Sequence, residues 1–180
     1  MDTGIISTRY AKALYAYAVE QKEEDALFEK MKFLSGSFSM HKSLQKVMEN
    51  PTISKEDKQK LLKTAGGKSV CKSYDSFLYL LEENHREQYA QTIALMYQKR
   101  YKKEKGIITG ILTTVNSPQE STMSKLKTLI AGENNYQVDF ITKIDSNIIG
   151  GFILDVESNQ LDASVKSQLS KIKKQLTEVK

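Results

Sequence analysis

The side chains with chemistry to offer are two histidines, one cysteine and scattered carboxylates, and their spacing brings none of them into a catalytic pattern. His41 and His85 sit far apart, with no carboxylate or cysteine at a metal-ligand interval. Cys71 stands alone, which rules out an internal disulfide and a cysteine-built zinc cage. With no basic or histidine neighbour in sequence to activate its thiol, it reads as a small, partly buried apolar residue. Glu82 and Glu83 are paired carboxylates, but adjacent helical positions point apart, so they read as a solvated face rather than an acid–base pair. Neither the Gly-x-x-x-x-Gly-Lys-[Ser/Thr] phosphate loop nor Gly-x-Ser-x-Gly occurs. The expectation is a protein that is not an enzyme, with no catalytic residue, cofactor or metal, acting through shape.

A length of 180 residues allows one domain or two small ones, and 39% hydrophobic with 27% charged residues is the balance of a folded protein. No apolar run approaches the roughly 20 residues that cross a bilayer. The first ten residues have neither a basic n-region nor transit-peptide character, so the chain reads as cytosolic. The net charge of +5 is uneven: residues 1–105 carry 19 Lys and Arg against 14 Asp and Glu, and residues 106–180 carry 8 against 8. Most of the excess lies in residues 99–105, where cations offset the dipole of a helix C-terminus and Gly106 stops the helix. The same run, with Tyr101 interleaved and a sequence pI near 9.1, is the basis for an alternative reading as a basic RNA- or ribosome-associated binding protein. Nothing elsewhere extends that stripe.

Two apolar periods divide the chain into residues 1–105 and 106–180. The first part is helical throughout. Tyr10, Ala13, Leu14, Tyr17 and Ala18 share one face of a first helix, and Leu27, Met31, Leu34 and Phe38 share a face over residues 26–38. Asn50-Pro51 breaks the pattern, Ser54 with Asp57 offers an N-cap, and Gly66-Gly67 ends that piece. Phe77, Leu78, Leu80 and Leu81 predict a helix closing near Asn84, and Tyr89, Ile93, Met96 or Tyr97, and Arg100 or Tyr101 a long final one. The second part predicts strands at residues 107–115, at 136–141 and around Phe152, Leu154 and Val156. Ser117-Pro118-Gln119-Glu120 supplies a cap, a first-turn proline and an acid for a helix ended by residues 132–135. Asp162 caps a last helix in which Val165, Leu169, Ile172, Leu176 and Val179 recur at steps of four and three. The fold class is therefore α+β overall: an N-terminal all-α helical bundle, then a small α+β domain with a short sheet and packed helices.

Four blocks along the chain carry a family likeness. Arg9-Tyr10-Ala11-Lys12-Ala13-Leu14 resembles the Arg-x-Tyr-Ala-Lys-Ala opening helix of the delta subunit of the F-type ATP synthase, with the spacer absent. That subunit is the counterpart of the mitochondrial oligomycin-sensitivity-conferring protein. Asn50-Pro51-Thr52-Ile53-Ser54 with Lys58 is similar to the family's Asn-Pro-x-Ile-x loop, and residues 77–86 are similar to its Phe-Leu-x-Leu-Leu-x-Glu-Asn-Gly-Arg turn. His85 replaces that turn's usual glycine, which puts the turn's left-handed backbone in question. Asp145 with Gly150-Gly151, then Leu161-Asp162-Ala163-Ser164, matches the closing pattern. Together the blocks cover nearly the whole chain.

The resemblance implies a stator subunit that links the catalytic head to the peripheral stalk and resists torque, on the cytoplasmic face of a bacterial plasma membrane. It implies two partners, the N-termini of the alpha subunits on residues 1–105 and the C-termini of the b-type stalk on residues 106–180. It implies no nucleic acid, and membrane contact only through the complex. In the family an apolar groove between the first and the long penultimate helices takes an alpha-subunit helix. The candidate walls are then Tyr10, Ala13, Leu14 and Tyr17 against Ile93, Met96, Tyr97 and Tyr101. Asn50, Pro51, Gly150, Gly151, Asp162 and Ser164 are expected to be structural.

Overall fold

The computed structural model describes residues 3–67, 70–131, 137–156 and 159–178. The chain folds as two compact units, Met1–Glu104 and Lys105–Lys180. The first is all helical and the second is a small mixed sheet with helices, which is the expected fold class.

The helical unit contains α1 (Thr3–Gln21), α2 (Glu24–Met40), α3 (Lys42–Glu49), α4 (Lys55–Ala65), α5 (Lys72–Glu83) and α6 (Ala90–Glu104). Its core gathers Leu27, Met31, Leu34 and Phe38 of α2, Tyr74, Phe77, Leu78 and Leu81 of α5, and Ile93 and Tyr97 of α6. Each such side chain contributes about 1.5–3 kcal/mol on burial. α1 packs on α6, and both present buried small residues: Ser7, Ala11 and Ala18 on one, Ala90 and Ala94 on the other. α3 was not predicted, because its short apolar pattern of Leu44, Val47 and Met48 was masked by the Asn50-Pro51 break. Asn50 sits extended at φ −76, ψ 118, as the residue before a proline must, and its Oδ1 accepts from Thr52 N at 2.9 Å. Ser54 caps α4 as expected, accepting from Asp57 N at 3.2 Å.

α5 ends in a Schellman motif: Arg86 N–H donates to Leu81 O at 2.9 Å and His85 N–H to Glu82 O at 3.2 Å. His85 therefore holds a left-handed position, φ 53, which a non-glycine residue adopts at a cost. α6 closes with Lys102 and Lys103 in its last turn, and Gly106 follows at φ 65.

The second unit contains β1 (Ile107–Thr114), α7 (Glu120–Ala131), β2 (Gln137–Ile144), β3 (Phe152–Val156), β4 (Asn159–Asp162) and α8 (Val165–Glu178). The strand order is β2-β1-β3-β4. β1 pairs parallel with β2 across the α7 crossover, and antiparallel with β3, so Leu112 lies between Thr142 and Leu154. Leu112, Leu126 and Leu154 form the core, with Met123, Ile130, Phe140, Phe152 and Val156 around them.

Three expectations are corrected here. α7 starts at Glu120 rather than after Ser117, because Gln119 O accepts the first helical amides, from Thr122 and Met123. A fourth strand, β4, pairs with β3 although its four side chains, Asn159 to Asp162, are exposed and carry no alternation of burial to read. Ser164 caps α8, accepting from Ser167 N at 3.2 Å, whereas Asp162 braces that cap from two residues earlier. The predicted stop for α7 at residues 132–135, Tyr136 and Val179 lie outside the described residues.

Candidate functional site

An open groove of about 600 Å³ lies between α1 and α5 of the helical unit. Arg9, Tyr10, Ala13, Leu14 and Tyr17 form one wall; Ser76, Phe77, Tyr79, Leu80 and Glu83 form the other. The four candidates on α1, Tyr10, Ala13, Leu14 and Tyr17, all line it, together with Arg9. Leu14 is buried at the floor, while Ala13 and Tyr17 face outward.

The opposite wall differs from expectation. Ile93 and Tyr97 are fully buried and Tyr101 nearly so, which leaves them no surface to offer. Tyr97 O–H donates to Glu24 O at 3.2 Å; Tyr101 O–H donates to Asp25 Oδ1 at 2.7 Å and its ring stacks on Phe28 at 4.2 Å. Met96 is half-buried and does not line the groove. α6 is a core helix because its apolar residues meet α1 on one side and α2 on another. The wall residues on α5 are legible in retrospect. Tyr74, Phe77, Leu78 and Leu81 fill the core stripe, so Tyr79 and Leu80 are apolar residues to spare, and they stand 62% and 43% exposed.

The two walls are tied at both ends. Beyond the C-terminal end of α5, Arg86 Nη1 donates to Tyr10 Oη at 2.9 Å, with its guanidinium 5.4 Å from the Tyr10 ring centroid. At the other end, Glu23, just past α1, accepts at the start of α5 from Ser73 Oγ at 2.7 Å and Ser73 N at 2.8 Å. Those bonds from Ser73 hold the Glu23 carboxyl below its ordinary range, the sign expected for an acid at a helix N-terminus. Cys71 lies beside it, buried, and desolvation pushes its thiol up, away from a reactive thiolate.

The glycine, aspartate and serine of the closing motif come together in the second unit. Asp145 Oδ1 accepts from Asn147 N at 2.9 Å and starts the turn, Ile149 follows at φ 68, and Gly151 sits at φ 74. A Cβ on Gly151 would overlap the Ala163 carbonyl oxygen, so the double glycine passes directly over the start of α8. There Val165 N donates to Gly150 O and Ala163 N to Phe152 O, each at 3.0 Å. Hydrogen bonds from Ser164 and Ser167 hold the Asp162 carboxyl down at about 2. Asn50, Pro51, Gly150, Gly151, Asp162 and Ser164 are thus turn and cap residues in the fold.

Among the described residues no three His, Cys, Asp or Glu side chains gather to hold a metal, and no helix is long and apolar enough to cross a membrane. The basic run occupies the end of α6, where Arg100 is paired with Glu104 at 2.7 Å.

Comparison with known proteins gives one answer. The family described as "ATP synthase delta (OSCP) subunit" matches residues 6–176. An ATP synthase subunit delta from Azobacteroides pseudotrichonymphae genomovar. CFP2 is 41% identical over 177 residues, covering 98% of this chain and 100% of that one. The one from Phocaeicola vulgatus is 38% identical over 176 residues, covering 97% and 95%. Among solved structures, a chain of the Toxoplasma gondii mitochondrial ATP synthase hexamer superposes with a TM-score of 0.70, covering 95% and 97%; at 20% identity it speaks to the fold.

Proposed function

The chain belongs to the ATP synthase delta (OSCP) subunit family, and we propose that it clamps the enzyme's catalytic head to its stalk. It is a peripheral-stalk subunit of the F-type ATP synthase. In this reading it does no chemistry, and it sits on the cytoplasmic face of a bacterial membrane through the complex alone. Residues 1–105 take the N-terminal segment of an alpha subunit, and residues 106–180 take the C-terminal end of the b-type stalk.

The observation that carries the head contact is the apolar groove between α1 and α5. Helix-in-groove recognition needs small residues where the incoming backbone approaches and broad apolar rims on either side. Ala13 supplies the first, and Tyr17, Tyr79 and Leu80 the second, each tyrosine adding a polar handle. The test is calorimetric titration of the full chain with a synthetic N-terminal peptide of the host's alpha subunit. The expected result is tight binding that salt weakens only mildly, reduced by about tenfold or more in Ala13→Arg, whose long side chain obstructs the groove. A folded Ala13→Arg protein that binds as the native one does would remove the groove from the argument.

A further inference from the structure

The sheet of the second unit has two edges, and they are not alike. β4 is only four residues long. β2 is eight residues long, and its register with β1 runs unbroken, with no proline or bulge to deter pairing. Gln137 N donates to Gly106 O at 3.1 Å and Asp145 N to Thr114 O at 2.9 Å, so the odd-numbered residues between them bond to β1. The backbone groups of Val138, Phe140, Thr142 and Ile144 therefore point out of the edge, and among the described residues they have no partner.

The side chains alternate in the other direction. Val138 is buried and Phe140 packs against the core, so Asp139, Ile141 and Lys143 lie on the opposite face, where all three are exposed. The nearby Asp145 carboxylate is taken up by Asn147 N and Nδ2, and neither Asp139 nor Lys143 forms a salt bridge among the described residues.

A second copy of β2, antiparallel about a two-fold axis at Ile141, meets each of these groups. Ile141 faces Ile141 of the second copy, and Asp139 faces Lys143 of the second copy on either side of it. These are the non-hydrogen-bonded pairs of the new ladder, with Cα atoms about 4.5 Å apart, where side chains of opposite charge reach each other. The outward groups pair among themselves, Val138 with Ile144 and Phe140 with Thr142. Ile144, 62% exposed in the single chain, gains an apolar neighbour. Either adjacent register sets Ile141 against Asp139 or Lys143, so one alignment is selected.

From the open edge and the self-complementary order Asp139, Ile141, Lys143, we infer that the free chain forms a homodimer through β2, joining two four-stranded sheets into one. The occupant of the edge is a second copy of this chain, and the inference does not rest on the stator reading.

Sedimentation velocity of the full-length protein tests it. The native chain should show a monomer–dimer equilibrium with a Kd on the order of 10 µM, the strength of a small transient interface. Asp139→Lys and Lys143→Asp each set like charges across the edge twice, and each should weaken the dimer about tenfold or more. Mixing the two variants should restore a dimer, because every pair between them is again of opposite sign; both substitutions in one chain should restore it too. Thr142→Pro removes an outward N–H and no bond to β1. It should give a folded monomer, with β1 amide protection in hydrogen exchange as the check on folding. A native chain that stays monomeric to about 1 mM overturns the inference. So does a dimer indifferent to Asp139→Lys and Lys143→Asp, or a failure of those variants to pair on mixing. If the native chain is monomeric and a C-terminal peptide of the host's b-type subunit binds it but not Thr142→Pro, the edge belongs to the stalk instead.

Discussion

Gly150 and Gly151 are neighbours in one motif, yet the structure gives them different reasons to be glycine, and substitution by alanine should separate the two. At Gly151, φ is 74, which a side chain adopts at about 1–2 kcal/mol. Its new Cβ would also overlap the Ala163 carbonyl, so the chain before α8 must move. The movement strains two backbone hydrogen bonds, Val165 N to Gly150 O and Ala163 N to Phe152 O, each contributing about 0.5–1.5 kcal/mol. Gly151→Ala should therefore cost about 2–5 kcal/mol, from a total of about 4–11 for a unit this size. At Gly150 no positive φ is required, and a Cβ would meet only the Val165 side chain, Cγ2 at 3.0 Å and Cβ at 3.8 Å, partly exposed and able to turn. Gly150→Ala should cost about 0.5–1 kcal/mol. Native-state hydrogen exchange read by mass spectrometry resolves the two units, which a single unfolding curve would blend. Gly151→Ala should lower protection of the β1 and β3 amides from about thirtyfold to over a thousandfold, with those of α2 and α5 as an unchanged internal control. If Gly150→Ala proves as damaging as Gly151→Ala, the account of this turn is wrong.

His85→Gly should raise the stability of the helical unit by about 0.5–1 kcal/mol, since glycine adopts the left-handed Schellman position without strain; a lower melting temperature in a thermal-shift assay would contradict this. The Asp162 carboxyl is held at about 2, so its contribution to the start of α8 is complete above the ordinary carboxylate range near 3.9 and lost as pH falls through about 2. Nuclear magnetic resonance titration of the Ser164 amide should show its midpoint near that value, and Asp162→Asn should abolish the transition; a midpoint near 4 would count against the brace. Tyr79→Ala should weaken capture of the alpha-subunit peptide by about tenfold while leaving the melting temperature within a degree or two, because the side chain is mostly exposed in the free protein.

Local chemistry was the most legible part of the sequence. The Ser54 cap, the Gly66-Gly67 stop, the end of α5 at Asn84 and the break at Asn50-Pro51 each depend on residues within a few positions, and each is where the sequence puts it. What required the third dimension was the choice among apolar faces. Periodicity marks Ile93 and Tyr97 as belonging to one face of α6, but it does not say whether that face meets another helix or a partner. β4 was hidden because an exposed edge strand needs no alternation, and the start of α7 slipped because Ser117-Pro118 offers a cap and a first-turn proline just before Gln119, whose carbonyl accepts the first helical amides.

The ties between α1 and α5 bear on how the groove is entered. Arg86 on Tyr10 and Glu23 on Ser73 fix the spacing of the walls at opposite ends, so on the proposed reading the slot is already open in the free protein. An incoming helix then meets no opening step, and its arrival is governed by diffusion and its own folding rather than by a gate. Differences in grip between variants of this groove will appear as differences in dwell time. For a part that must outlast many turns of a shaft, dwell time is the quantity that matters.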